Sequence, residues 1–245
     1  MLSLTDLRRA VQNALAFATS QTDVTEVEVF ASAGSNLTAR LNYTSHIPSN
    51  GVEEAKSTEG YGLGIRAVFR TPDGVSTGFG SEPTDLSVNG AERALNKARS
   101  GAVSDYEFVS LPKLDFPTLP PRNDGTLPGN YDPALIRIGS KGLVGAGWRM
   151  MDQALSVFQS SKDLLELAGS AEKVAELGLI LGGDVVIFRD RMAIASTHIP
   201  KIQTEQNTLI TSFATAMIES QDSKGSGWSI SSQLDDFSGD AAAEA

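Results

Sequence analysis

Apolar residues recur along this chain with two periods. Leu4, Leu7, Val11, Ala14, Leu15 and Ala18 fall at helical spacing, which predicts an amphipathic first helix. Ser3, three residues before Asp6, is placed as its N-cap. Period two then takes over. Val27 and Val29 alternate with Glu26 and Glu28, and Leu37, Ala39, Leu41 and Tyr43 alternate with Thr38, Arg40 and Asn42. Both runs predict half-buried strands, joined by a turn at Ala33-Gly34-Ser35-Asn36.

Residues 45–60 are polar and hold Pro48, Asn50 and Gly51, which predicts a loop with room for a short strand. Gly62 to Phe69 and Val75 to Gly80 flank Thr71-Pro72-Asp73-Gly74, a hairpin pattern. A helix is expected from Thr84 or Ser87, with Val88, Ala91, Ala94, Leu95 and Ala98 inward and Gly101 at its end.

Six prolines lie between residues 111 and 133. Proline fixes φ and removes an amide donor, so this stretch predicts a linker over 111–131 rather than a helix or inner strand. Asp132-Pro133 then marks a helix start, and helical character continues with gaps to Leu177. Asp184–Phe188 and Met192–Ser196 are expected to pair across Arg189-Asp190-Arg191. Residues 203–219 alternate at length, a turn is expected over Ser220–Gly227, and Trp228–Ser232 returns.

Hairpins dominate, and no regular alternation of strand and helix appears. The expected class is α+β, with antiparallel sheets and flanking helices in two units joined by the proline-rich linker. The units are 1–110 and 132–245. No solenoid-type repeat is visible.

Composition narrows the chemistry. Of 245 residues, 40% are hydrophobic and 20% charged, an ordinary globular balance. The net charge of −10 disfavours nucleic acid as a partner, since no basic stripe overrides it. No cysteine is present, which removes thiolate nucleophiles and cysteine metal sites. Asp6, Arg8 and Arg9 break the N-terminal apolar run, so no signal peptide is read there. No window is apolar for the ~20 residues of a membrane span. A cytoplasmic protein with no membrane partner is expected.

Zinc hydrolysis needs at least three side-chain ligands, commonly with two histidines on one helix face. The only histidines, His46 and His198, are far apart and lack acidic or histidine neighbours at ligand spacing. They read as surface or hydrogen-bonded residues. Gly-x-Ser-x-Gly does not occur, and Gly225-Ser226-Gly227 is accounted for by a turn. Gly139, Gly142, Gly145 and Gly147 with Lys141 have the wrong order for a phosphate loop. Glu53, Glu54 and Glu59 read as solvated charge. The residues alone therefore give a two-part α+β chain with no catalytic and no metal-ligating set of its own.

One family resemblance is visible between Thr25 and Arg99. TEVEVF, GYGLGIRAVF, STGFGSEPTDLS and a helix ending in ALNKAR occur in that order. They resemble the N-terminal domain of TldD/PmbA proteins, the metalloprotease family also labelled modulator of DNA gyrase. The matching residues are Glu26, Val27, Val29, Gly62, Gly64, Arg66, Gly78, Phe79, Asp85, Leu86, Ser87, Ala94, Leu95 and Ala98. After the linker the match is looser: Ala195-Ser196-Thr197-His198 stands where the family shows an Asn-Ser-x-Gly pattern.

The resemblance implies an N-terminal domain and part of a middle domain, without the C-terminal domain that carries the family's zinc. It implies no cofactor in this chain, with zinc held by that further domain or by a partner subunit. It also implies a peptide or unfolded-protein substrate, and a homodimer or a TldD/PmbA-type heterodimer. Whether the chain is itself an enzyme stays open: a non-metal portion that restricts peptide access, or a stand-alone interaction module. Gly62, Gly64 and Arg66 are the substrate-binding candidates, because glycines let another backbone approach their strand. Packing or a bulge is the other reading of the two glycines.

Overall fold

The computed structural model describes residues 1–47, 50–53, 55–72, 74–113 and 130–245. The helices are α1 (Leu4–Thr19), α2 (Val88–Ser100), α3 (Pro133–Arg137), α4 (Ser140–Ser160), α5 (Lys162–Ala168) and α6 (Asp240–Glu244). The strands are β1 (Val24–Thr44), β2 (Gly51–Val52), β3 (Lys56–Thr71), β4 (Gly74–Pro83), β5 (Val103–Ser104), β6 (Leu179–Ser196), β7 (Ile199–Ile218) and β8 (Ser223–Ser231). They form an antiparallel sheet of eight strands in the order β5-β4-β3-β1-β6-β7-β8, with β2 on β1. The class is α+β, as the hairpin pattern predicts.

Two long strands replace expected hairpins. β1 runs straight through Ala33–Asn36, because Val27, Val29, Ala31, Ala33, Ser35, Leu37, Ala39 and Leu41 are all buried and share one parity. A turn there would break that register, and the small residues serve the sheet instead. β6 likewise passes through Arg189-Asp190-Arg191. Both guanidinium groups reach distant carbonyls: Arg189 donates to Leu135 and Ile138, and Arg191 donates through Nη1 to Leu2. The reversal falls instead between Ser196 and Ile199. β8 begins at Ser223, so Gly225 and Gly227 belong to a strand and not to the expected turn. The predicted turn at residues 71–74 includes Asp73, which lies outside the described residues; β3 and β4 pair in register on either side, from Gly62↔Pro83 to Thr71↔Gly74.

The chain divides into two compact units, each built from three segments. One holds Met1–Ser35, Glu59–Leu127 and Asp190–Gln206, and the other holds Asn36–Thr58, Pro128–Arg189 and Asn207–Ala245. Each unit is discontinuous in sequence, because β1, β6 and β7 each contribute to both. Most of the expected linker, residues 114–129, lies outside the described residues.

In the first unit, Ser3 caps α1 in a capping box with Asp6, and Ser87 caps α2. Leu7, Val11 and Ala14 of α1 and Ala91, Ala94 and Leu95 of α2 bury against Val27, Val29, Leu63, Ile65, Ala67 and Phe69. Each fully buried leucine here is worth about 1.5–3 kcal/mol of transfer free energy. α2 rests directly on β4: a Cβ built on Gly78 or Gly80 would lie 2.0 Å from the carbonyl oxygens of Ala98 and Ala94.

In the second unit, α4 packs Leu143, Ala146, Met150, Met151 and Ala154 against Leu37, Ala39, Leu41, Leu181, Val185, Ile187, Ile210 and Ala214. Asp132 is the N-cap expected before Pro133, accepting from Ala134 N at 2.7 Å. Its second oxygen accepts from Leu234 N at 2.7 Å, and its own amide donates to Thr208 Oγ1 at 2.7 Å. α6, which the sequence pattern does not announce, seats on β8 as α2 does on β4. A Cβ at Gly225 or Gly227 would lie 2.0 Å from the carbonyl oxygens of Ala245 and Ala241.

Candidate functional site: the open sheet face of the first unit

The alternation that buries Val27, Val29, Leu63, Ile65 and Ala67 beneath the helices puts the opposite parity on the other face of the sheet. That face carries Glu26, Glu28 and Phe30 from β1, Gly64 and Arg66 from β3, and Phe79 from β4. Phe79 is 64% exposed and Phe30 37% exposed, so no described helix covers them. Large aromatic residues left in water mark a surface that something can contact.

The three residues singled out from the sequence share β3. Gly64 lies under two rings: a Cβ there would meet Phe79 at 3.2 and 3.3 Å and Phe30 at 3.7 Å. A Cβ at Gly62 would meet the carbonyl oxygen of Glu82 at 3.3 Å. The close approach that the glycines permit is thus made by the chain itself, by β4 at Gly62 and by β4 and β1 at Gly64. β3 also lies between β4 and β1 in the sheet, so it is not an edge strand. Arg66 stands directly opposite Phe79 in the register, and its Nη2 lies 3.2 Å from Glu28 Oε1. The arrangement is a pair of exposed aromatic rings lying over Gly64, with an ion pair at their side. It can hold an apolar side chain and orient a polar backbone, and it places no nucleophile beside a base.

A second cluster in the same unit was not read from the sequence. His198 Nε2 lies 3.0 Å from Glu26 Oε2, though out of line for a hydrogen bond. Glu26 Oε2 also accepts from Leu111 N at 2.6 Å. Thr197 and Val27 exchange backbone and hydroxyl contacts alongside. Glu26 thereby fixes the start of the 111–113 segment to β1. The signal available in the sequence was only a carboxylate on the polar parity of β1; partners 85 and 172 positions away were not.

His46, in the second unit, lies 3.4 Å from Glu219 Oε2. Among the described residues no three His, Cys, Asp or Glu side chains converge as a metal site requires. The described residues give no ligand set that fits a zinc ion, and no step through a metal follows from them. Among the described residues no helix is long and apolar enough to cross a membrane.

The fold is shared with solved structures, two of which follow. TldE from Thermococcus kodakarensis matches with a TM-score of 0.61 at 12% sequence identity, over 90% of this chain and 42% of its own. A Thermotoga maritima protein described as a candidate modulator of a DNA gyrase (TM0727) matches with a TM-score of 0.61 at 12% identity, over 97% of this chain and 46% of its own. The chain spans less than half the length of either. No family model matches the sequence, and no curated protein matches it by sequence.

Proposed function

We propose that this chain is the non-metal portion of a TldD/PmbA-type peptidase, a scaffold that restricts which peptides reach a zinc site held elsewhere. The zinc belongs to a C-terminal domain or a partner subunit, and the assembly is a homodimer or a TldD/PmbA-type heterodimer working in the cytoplasm. The observation that carries the reading is the fold likeness: nearly all of this chain corresponds to less than half of TldE and TM0727. The order of motifs from Glu26 to Ala98 agrees with it. The open face around Gly64, Phe30, Phe79 and Arg66 is the wall offered to substrate. An extended peptide can lay one apolar side chain on the exposed rings of Phe79 and Phe30 while Arg66 and Glu28 face its backbone. With a net charge of −10, nucleic acid is not the substrate.

The test uses an unstructured peptide and a TldD-type zinc subunit from the same genome. The chain alone should not cleave it, and the two together should cleave it faster than the zinc subunit alone. Gly64→Val with Arg66→Ala should lower cleavage at least tenfold without changing the zinc content of the complex. The ring of Phe79 is exposed and free to swing aside, so the variant keeps its fold. Equal cleavage with and without this chain would defeat the reading and leave the stand-alone interaction module.

A further inference from the structure

We propose that the outer edge of β8 takes up an extended peptide of alternating apolar and basic residues as an added strand. β8 ends the strand order, and among the described residues no strand pairs with its outer edge. Its inner edge is fully engaged with β7, from Ile210↔Ser231 to Ile218↔Ser223. A nine-residue strand therefore presents a row of backbone donors and acceptors to solvent.

Sheet edges are normally guarded by charges, prolines or bulges, because an unguarded edge recruits further strands. From Gly225 to Leu234 there is no charged residue and no proline. The side chains beside the edge are apolar and open. Trp228 is 69% exposed and Ile230 55% exposed, and Trp228 stands directly opposite Phe213, itself 51% exposed. Residues 228 and 230 share one face of β8, so an added strand would set every second side chain against them.

Charge selects the occupant. Both ends of β8 are acidic: Glu219 and Asp222 before it, Asp235 and Asp236 after it, all exposed. α6, seated on β8, adds the exposed Asp240 and Glu244. Lys224 is the one opposing charge within the strand. A second copy of this chain would bring the same acidic ends and a further net charge of −10, which opposes self-pairing. A peptide with lysine or arginine at alternate positions matches the rim, while its apolar positions meet Trp228 and Ile230. The site is separate from the Gly64 face and holds whether or not the chain serves a peptidase.

The probe is the blocked peptide Lys-Val-Lys-Val-Lys-Val-Lys, titrated into the 245-residue chain by calorimetry. Trp228 fluorescence in a Trp148→Phe background gives a second readout. Three controls accompany it: the Glu-Val counterpart, and two lysine peptides N-methylated on one or the other alternate set of amides. Binding of the lysine peptide, at least tenfold weaker for the Glu-Val peptide and for only one of the two methylated sets, is expected. Binding should also weaken at least fivefold in Trp228→Ser and fall as salt rises. No binding, equal binding of both methylated peptides, or a homodimer in sedimentation that Ile230→Lys dissociates would overturn the proposal.

Discussion

Arg99, in the last turn of α2, donates to both carboxylate oxygens of Asp23, Nε at 2.7 Å and Nη2 at 3.2 Å. The pair ties the end of α2 to the residue that precedes β1, and the Arg99 guanidinium also lies 5.4 Å from the ring centre of Phe69. Two parallel bonds make this the fork geometry in which an arginine is best held. Both side chains are more than a third exposed, so solvent screening reduces the gain. Arg99→Ala should cost about 1 kcal/mol, measured by urea unfolding. Arg99→Lys should recover only part of it, since an ammonium cannot form the fork.

The glycine seats under α2 give a sharper contrast. Gly80→Ala would force a methyl into the Ala94 carbonyl oxygen, so α2 must lift from β4. A loss of about 2–3 kcal/mol is expected. Gly145, inside α4, has nothing within 4 Å of a built Cβ. Gly145→Ala should stabilise by about 0.5–1 kcal/mol through helix propensity alone. Thermal melts of the two variants should therefore move in opposite directions.

Thr84 joins β4 to α2 with φ at +66°, a left-handed conformation that a β-branched residue resists. Its amide donates to the Tyr61 carbonyl at 3.1 Å, which holds it there. Thr84→Gly keeps that bond and removes the clash, so stability should rise by about 1 kcal/mol. An unchanged or lower melting temperature would count against the strain.

The Ser87 hydroxyl and amide, followed by Arg93, hold Asp85 well below its ordinary 3.8, at about 2. A carboxylate depressed in the folded state adds stability that is fully present above its unfolded value. That stability is lost as pH falls toward the folded value. The melting temperature should accordingly drop between about pH 4 and pH 2, and Asp85→Asn should flatten that part of the profile. A profile identical to the parent's would remove Asp85 from the account.

Much of this architecture is legible in the sequence because burial follows parity. Leu7 to Ala18 predicts α1, and the run from residue 203 onward predicts most of β7. The exceptions are places where local chemistry is answered from far along the chain. Ala33-Gly34-Ser35-Asn36 has turn composition, yet the face it shares with Val27 and Leu41 is buried throughout. Arg189 and Arg191 look like turn charges until Leu135, Ile138 and Leu2 supply carbonyls more than 50 residues away. The candidate site shows the same division. One strand's spacing puts Gly62, Gly64 and Arg66 together, but Phe30, Glu28 and Phe79 join them only through cross-strand register.

The interleaving of the two units bears on what a nick in the proline-rich stretch would do. Leu37, Ala39 and Leu41 precede that stretch, yet they lie in the same core as Leu143 and Met150, which follow it. Ala193 and Ala195 follow it, yet they lie in the core of Val27 and Leu63. Cleavage within residues 111–131 should therefore leave two fragments that stay associated under native conditions and part only in denaturant. Expressed separately, 1–110 and 132–245 should each lack a set of core side chains and remain unfolded. Mixed, they should regain the circular dichroism of the intact chain, the behaviour of a split protein rather than of beads on a string.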